Sequence, residues 1–160
     1  MATWADFAAA APELAGEGRR LLYRDGHAQA LLATVRDGDL PRIHPVSLGI
    51  ADGRLYCFVL KSAKRTDLEQ DGRFALHTLQ DPEVPSEFAV RGRATLIRAE
   101  DVRSAVASDW SFEVDETYWL FEFSIESAIL GLRDGPDEWP PRYSTWSAAR
   151  VLRDEPRAAS

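Results

Sequence analysis

The sequence predicts a mainly β protein, a small antiparallel barrel with flanking helices. Short segments of alternating apolar and polar residues predict strands, and Asp-Gly pairs at 37–38 and 52–53 are typical of hairpin turns. The order of segments lacks the strand–helix alternation of a parallel sheet. With 160 residues, of which 45% are hydrophobic, the chain can form one domain around a core. We assign residues 1–152 to that domain and 153–160 to a flexible tail.

The elements follow from local signals along the chain. Two helices are predicted within 3–25, because Thr3 and Asp6 have the spacing of a capping box and Pro12 suits the first turn of a second helix. Gly92 marks either a bulge or a close backbone approach. Further short helices are expected after Ser62 and over 100–108. The predicted strands cover 28–35, 42–50, 55–60, 73–79, 88–97 and 117–133, and residues 141–152 are expected to close the fold.

Composition limits the classes of partner. The formal net charge of −7 disfavours nucleic acid as the main partner, because phosphate binding needs a broad basic face. No apolar run approaches the roughly 20 residues of a membrane span, so no membrane partner is expected. Cys57 is the single cysteine and is predicted to be a small, buried apolar residue. A chain with one cysteine fits a reduced, cytoplasmic setting. The three histidines have no carboxylate or cysteine at metal-ligand spacing, so no metal site is expected.

The two lysines of the chain, Lys61 and Lys64, flank Ser62 where a strand turns into a helix. Free backbone N–H groups of a first helical turn, a serine hydroxyl and two ammonium groups make a plausible phosphate site. The alternative is a capped, solvated helix in which Lys64 lies near Asp67 and pairs with carboxylates. Spacing alone favours this alternative.

Residues 30–78, "ALLATVRDGDLPRIHPVSLGIADGRLYCFVLKSAKRTDLEQDGRFALHT", resemble the core of the pyridoxamine 5′-phosphate oxidase-like family of FMN-binding split β-barrels. The similarity lies in the order of its parts: a first strand ending in "ATV", a turn leading to a "P-x-x-x-P-V" strand, an apolar strand leading into Ser-x-Lys, and a "DL-x-x-DGRFAL" helix and strand. The resemblance implies a homodimer of six-stranded antiparallel split barrels, with the flavin at the dimer interface.

The resemblance also implies a set of cofactor-binding residues. Ser62 and Lys64 match the phosphate contacts, with Lys61 beside them, and His44 lies near the place of an arginine on the second strand. A C-terminal tryptophan often packs against the ring in relatives, and Trp146 fits that place. The expected cofactor-binding residues are His44, Val46, Ser47, Leu48, Phe58, Val59, Lys61, Ser62, Lys64 and Trp146.

Departures from the family pattern limit the expected activity. Ala63 replaces the middle cation of a Ser-Arg-Lys triplet, and "PPRYSTWSAARV" lacks the C-terminal Arg-x-His of the vitamin oxidases. Oxidation of the vitamin itself is therefore not expected. The leading hypothesis is an FMN-dependent oxidoreductase that moves a hydride between the flavin and a small organic substrate, with no catalytic acid or base assigned.

Two alternatives stay open from the sequence. One is a reductase that uses the deazaflavin F420, whose anionic tail would need a basic groove such as Arg19, Arg20 and Arg24 could form. The other is a non-enzymatic flavin- or haem-binding protein.

Overall fold

The computed structural model describes residues 1–148, so the predicted tail at 153–160 and residues 149–152 lie outside the described part. The prediction of a barrel with flanking helices is confirmed. Within residues 1–148, four helices and seven strands run in the order α1 (Trp4–Ala10), α2 (Pro12–Leu22), β1 (Ala28–Thr34), β2 (Arg42–Ala51), β3 (Arg54–Val59), α3 (Ala63–Gln70), β4 (Arg73–Thr78), β5 (Glu87–Ile97), α4 (Glu100–Ser108), β6 (Trp119–Leu132) and β7 (Arg142–Ser147).

Six strands close into an antiparallel barrel in the spatial order β3-β2-β1-β4-β5-β6, and β3 pairs with β6 to complete it. β7 adds to β6 as a seventh strand outside the ring. β7 lies within the segment 141–152 that was expected to close the fold, and the barrel ring itself is closed by the β3–β6 ladder.

One edge of β6 pairs with two different strands, because β6 is long and bends. Its first half, 119–123, pairs with β3, and its second half, 127–132, pairs with β7. Between them, Ala2 and Ile125 exchange two backbone hydrogen bonds of 2.9 and 2.7 Å. The register with β5 shifts between Arg91 and Gly92, and a Cβ on Gly92 would lie 1.8 Å from the Ser124 carbonyl oxygen. The prediction of a bulge or close approach at Gly92 is confirmed.

Local sequence signals set the ends of several elements. Thr3 and Asp6 form the predicted capping box of α1, and Pro12 lies in the first turn of α2. Asp52 and Gly53 have φ values of 47° and 69°, which a two-residue hairpin of type I′ requires. The predicted tight turn at 36–39 is confirmed, because the Asp39 N–H donates to the Arg36 carbonyl oxygen at 3.2 Å. The whole connection is longer than a two-residue hairpin, since β1 ends at Thr34 and β2 begins at Arg42.

The core fills the barrel and continues beneath α1 and α2. Alternate residues of β1 point inward, and the side chains of Phe7, Phe121 and Phe123 are fully buried. A smaller cluster lies outside the barrel, where α4 packs over Tyr56 and Phe58 of β3. α3 lies against β1 and β5 and inserts Leu68 into the main core. The barrel thus fixes the end of β3 and the start of α3, where the lysines lie.

Candidate functional site

β2 and β3 separate after a short ladder, so the barrel opens between them. Only Gly49–Ala51 of β2 face Arg54–Tyr56 of β3. The Cys57 thiol donates to the Ser47 carbonyl oxygen at 3.3 Å, which shows that the backbone of Ser47 points towards β3. By strand alternation the backbone groups of Ile43 and Pro45 point the same way. Pro45 is tolerated at this position because no strand pairs with that edge of β2, so the hydrogen bond that proline cannot donate is not needed. We call this opening, between residues 43–47 and 57–62, the split.

α3 begins at the mouth of the split. The Ser62 hydroxyl accepts a hydrogen bond from the Arg65 backbone N–H at 3.3 Å and donates to the Leu60 carbonyl oxygen at 3.0 Å. The backbone N–H groups of Ala63 and Lys64 have no acceptor in the described residues. The positive end of the helix dipole therefore faces outward with two unpaired donors, which is an arrangement that favours an anion.

Lys64 brings a cation to the same place. Its side chain is half-buried, and no carboxylate within residues 1–148 lies at ion-pair distance from it. Its charge acts on His44 of β2 and on Cys57 of β3, so the ammonium group lies near both strands. The helix cap at Ser62 that the alternative expected is present. The pairing of Lys64 with carboxylates that it also expected is absent within residues 1–148.

His44 lies on β2 opposite Leu32 of β1. Burial, helped by the charges of Lys64 and Arg42, lowers the pKa of His44 below its ordinary value of 6.5, while Asp67 acts in the opposite direction. The imidazole is therefore neutral at pH 7. Its Nε2 atom is covered from solvent and has no hydrogen-bond partner in the part of the chain that the structure describes. An unpartnered buried nitrogen is costly, and a ligand atom could satisfy it.

Asp67 fixes α3 to the barrel and was missed as a site residue by the sequence analysis. Its carboxylate is 1% exposed and accepts hydrogen bonds from the Thr34 hydroxyl at 2.8 Å and from Arg42 Nε at 3.0 Å. Arg36 Nε lies 3.2 Å from Asp67 Oδ1, an ion-pair contact whose angles fall short of a hydrogen bond. Because Asp67 follows Lys64 by nearly one helical turn, these contacts also orient the lysine. Its three partners lie on other elements, so no local sequence pattern reveals them.

The remaining predicted residues of β2 and β3 lie on both sides of the barrel wall. Val46 is half-buried, and it and Leu48 point inward like their partners Ala30 and Ala28 of β1. Val59 is 1% exposed within the core. Ser47 and Phe58 lie on the outer side, where Phe58 packs edge-on against Trp110. Lys61 is exposed just before the helix cap.

Trp146 does not join this group of residues within one chain. It lies on β7 opposite Ala128 of β6, whereas Val59, near the split, pairs with Trp119 at the start of β6. Nine residues separate these two positions on β6, or about 30 Å of extended strand. Trp146 instead packs against Phe7 of α1 at a ring distance of 5.0 Å. Its cofactor role stays a prediction.

The donors at the split fit the phosphate of a cofactor. Two unpaired backbone N–H groups and an unpaired ammonium group lie at the start of α3, and the Lys64 charge acts on His44, whose Nε2 atom has no partner in the described residues. Phosphate oxygens accept from such donors, and the ammonium group offsets their charge. Ala63 contributes its backbone N–H but no cation, so the charge on this side of the site rests mainly on Lys64.

The arginines considered for an F420 tail lie elsewhere. Arg19 stacks on Tyr23 at 4.8 Å, Arg20 pairs with Glu17 at 2.7 Å, and Arg24 lies 3.6 Å from Asp81. They therefore lie near the start of β1, away from the end of the β1–β2 ladder where α3 docks.

Within residues 1–148, no group of three or more His, Cys, Asp and Glu side chains could hold a metal ion. None of the helices there has the length and apolar character needed to cross a membrane.

Comparisons with known proteins support the fold. No family model and no curated protein sequence matches the chain. A protein from Clostridium acetobutylicum, related to general stress protein 26 and of the pyridoxine phosphate oxidase family, has a similar structure. Its TM-score is 0.61 at 12% identity, with 84% of this chain and 98% of that chain covered.

Two other similar structures differ in the cofactor that their descriptions give. An FAD-binding protein from Mesorhizobium loti has a TM-score of 0.52 at 18% identity, covering 70% of this chain and 89% of that one. A haem-binding protein from Mycobacterium smegmatis has a TM-score of 0.59 at 15% identity, covering 82% of this chain and 57% of that one. At these identities the likeness shows a fold of the pyridoxamine 5′-phosphate oxidase-like split-barrel type, as the sequence resemblance predicted.

Proposed function

We propose that this protein binds FMN at the split and acts as a flavin-dependent oxidoreductase that transfers a hydride to or from a small organic substrate. The observation behind the proposal is the start of α3, where Ser62 caps the helix and Lys64 has no carboxylate partner in the described chain, next to the unpartnered Nε2 of His44. These groups match the phosphorylated end of FMN in charge and in hydrogen bonding.

The residues of this chain would hold and orient the cofactor. The Ala63 and Lys64 backbone N–H groups would donate to phosphate oxygens, and the Lys64 ammonium group would neutralise phosphate charge. Ser62 would hold the start of the helix in place through its cap. Neutral His44 would donate from, or accept at, its Nε2 atom, depending on the tautomer. When bound, the flavin supplies the hydride chemistry. We assign no catalytic acid or base to this chain.

We further propose that two copies of the chain form the functional unit in the cytoplasm. The outer face of the β1–β2 ladder beside the split is apolar and open, since Leu31 is 37% and Ile43 68% exposed, with Pro45 between them on the same face. A second copy would cover this face and close the split on its outer side. The single buried cysteine agrees with a reducing compartment.

Haem is the second candidate ligand, and His44 is the observation that favours it. A neutral imidazole whose Nε2 lacks a partner is the form that binds haem iron. In that case the protein would be a haem carrier or sensor, and the Lys64 cation would face a haem propionate.

The first experiment is a visible spectrum of the purified protein with and without added FMN, F420 or haem. We expect a flavin spectrum with FMN. A Soret band with haem and no affinity for either flavin would instead favour the second candidate. A protein that binds none of the three would contradict the proposed function.

The second experiment assigns the phosphate contact. Lys64→Ala should weaken FMN binding by about tenfold or more, because it removes the charge partner of the phosphate, and should leave riboflavin binding nearly unchanged. The matched control is Arg20→Ala, which removes an exposed cation paired with Glu17 on α2 and should change neither affinity. An equal loss for FMN and riboflavin would remove Lys64 from the phosphate role.

A further inference from the structure

Trp110 lies on the outer face of β2 and β3 at the closed end of the split. Its indole packs edge-on against Phe58, with ring centroids 4.9 Å apart and an interplanar angle of 86°. A Cβ on Gly49 would lie 2.6 Å from the Trp110 ring. Only a glycine at position 49 therefore allows the indole to lie this close to β2.

The indole N–H of Trp110 lacks an acceptor. Its Nε1 atom is covered from solvent and has no hydrogen-bond partner within residues 1–148. Aromatic packing, also with Phe112 at 6.3 Å, holds the ring in place instead. A buried tryptophan N–H normally finds a partner, and leaving it unpaired costs free energy. An acceptor on a bound ligand would remove that cost.

The position of Trp110 relative to the phosphate donors points to the kind of ligand group it meets. Phosphate donors lie at Ser62 and Lys64, at one end of the split, whereas Gly49 and Phe58 lie at the other. A flavin held by its phosphate at Ser62 and lying along the split would direct its ring towards Ser47 and Phe58. The ring system carries carbonyl and ring-nitrogen acceptors and a flat apolar surface, which suit an indole edge and its N–H.

We infer that Trp110 is a positioning and specificity-determining residue for the ring of the flavin. It forms the wall at the closed end of the split and gives its N–H to an acceptor on the ring. This inference rests on the proposed function. Trp146, the tryptophan that the sequence resemblance placed at the ring, has the same unpaired N–H but lies on β7 against α1.

The test compares two ligands that share the ring and differ in the phosphate. Trp110→Phe should weaken FMN and riboflavin binding by the same factor, about tenfold, and should reduce the quenching of flavin emission on binding. Lys64→Ala should weaken FMN binding alone. The matched control is Trp139→Phe, which makes the same change at a side chain that is 75% exposed, and it should alter neither affinity.

A measurement on the unmodified protein keeps the test independent of variant stability. The indole N–H resonance of Trp110 is identified as the one that disappears from the nitrogen–proton spectrum of Trp110→Phe. Trp110→Tyr serves the same purpose if the first variant unfolds. In the wild-type protein this resonance should move on adding riboflavin, while that of Trp139 should not. The inference alone is overturned if the Trp110 variant binds FMN with wild-type affinity and wild-type quenching, and if the Trp110 resonance of the wild-type protein does not move on adding riboflavin. Failure of the wild-type protein to bind FMN would overturn the proposed function and this inference together.

Discussion

Single side chains at the split interact through charge as well as through contact. Lys64 has no carboxylate partner in the described chain, and its charge acts on both His44 and Cys57. The same ammonium group therefore makes the opening attractive to an anion, and it adds to burial, the larger cause, in lowering the pKa of His44. A bound phosphate would offset the lysine charge and would therefore remove the effect of Lys64 on the pKa of His44.

His44 gives the first prediction at this scale. Its pKa is lowered in the folded protein by burial, Lys64 and Arg42, with Asp67 opposing, so the unfolded chain binds more protons below about pH 6.5. The stabilising contribution of neutral His44 is present above that pH and is lost as the pH falls through the folded pKa. Between pH 7 and pH 5 the wild-type protein should therefore lose more free energy of unfolding than His44→Gln. Denaturant titrations at the two pH values measure this difference, and parallel losses in both proteins would contradict it.

Cys57 gives the second prediction at this scale. The thiol is 1% exposed, and burial raises its pKa to about 12. The reactive thiolate is therefore both scarce and covered at pH 8. The folded protein should not react with a thiol reagent such as DTNB over an hour, whereas one thiol per chain should react in denaturant. Rapid reaction of the folded protein would show that β3 opens at the split.

Among the elements, α3 depends on a contact that its own sequence does not reveal. The helix is short and polar, and Asp67 and Leu68 are its buried residues. Asp67 reaches Thr34 on β1 and Arg42 on β2, so one carboxylate joins three elements beside the phosphate donors.

Removing this carboxylate charge should loosen α3. Asp67→Asn should lower the free energy of unfolding by about 2–3 kcal/mol, less than for a fully buried pair because Arg36 and Arg42 remain partly exposed. The control is Asp37→Asn, whose side chain is 99% exposed and pairs with Arg73 on the surface, and which should cost about 0.5 kcal/mol or less. Equal effects of the two variants in denaturant titrations would show that the buried network contributes little.

The bend of β6 depends on Gly92 of β5. Gly92→Ala would place a Cβ 1.8 Å from the Ser124 carbonyl oxygen, a clash between two backbones that no side-chain rotation relieves. We expect a loss of more than about 3 kcal/mol, or failure to fold. In contrast, Gly16→Ala within α2 meets no atom within 4 Å and should stabilise the protein by up to about 1 kcal/mol. Thermal melting of both variants checks the pair, and a Gly92→Ala protein as stable as wild type would contradict the tight approach.

For the whole molecule, the open apolar face of β1 and β2 leads to a prediction about assembly. Light scattering after gel filtration should give twice the mass of the chain, and Ile43→Asp should give a monomer because it places a charge in the proposed interface. Val84→Asp, in the loop between β4 and β5, makes the same change at a 39% exposed residue and should leave the dimer intact. A wild-type monomer at micromolar concentration would contradict the dimer proposal while leaving cofactor binding to be judged by the spectra.

Much of the fold could be predicted from local sequence patterns. The capping box at Thr3, the Asp52–Gly53 hairpin and the close approach at Gly92 each depend on residues near one another in the chain or on the absence of a single Cβ. The resemblance of residues 30–78 to the pyridoxamine 5′-phosphate oxidase-like family indicated the split barrel and the place of Ser62 and Lys64 in it. Local conformation depends on the types of neighbouring residues, so it can be predicted without the tertiary structure.

Contacts between distant segments were decided only by the tertiary structure. The three partners of Asp67, the position of Trp110 over Gly49, and the distance of Trp146 from the split all depend on how strands close into a barrel. The sharing of β6 between β3 and β7 depends on it too. The sequence by itself determined the elements and the donors at the start of α3. Which side chains face those donors was set by the closed barrel, because residues far apart in the chain become neighbours only when the strands pair.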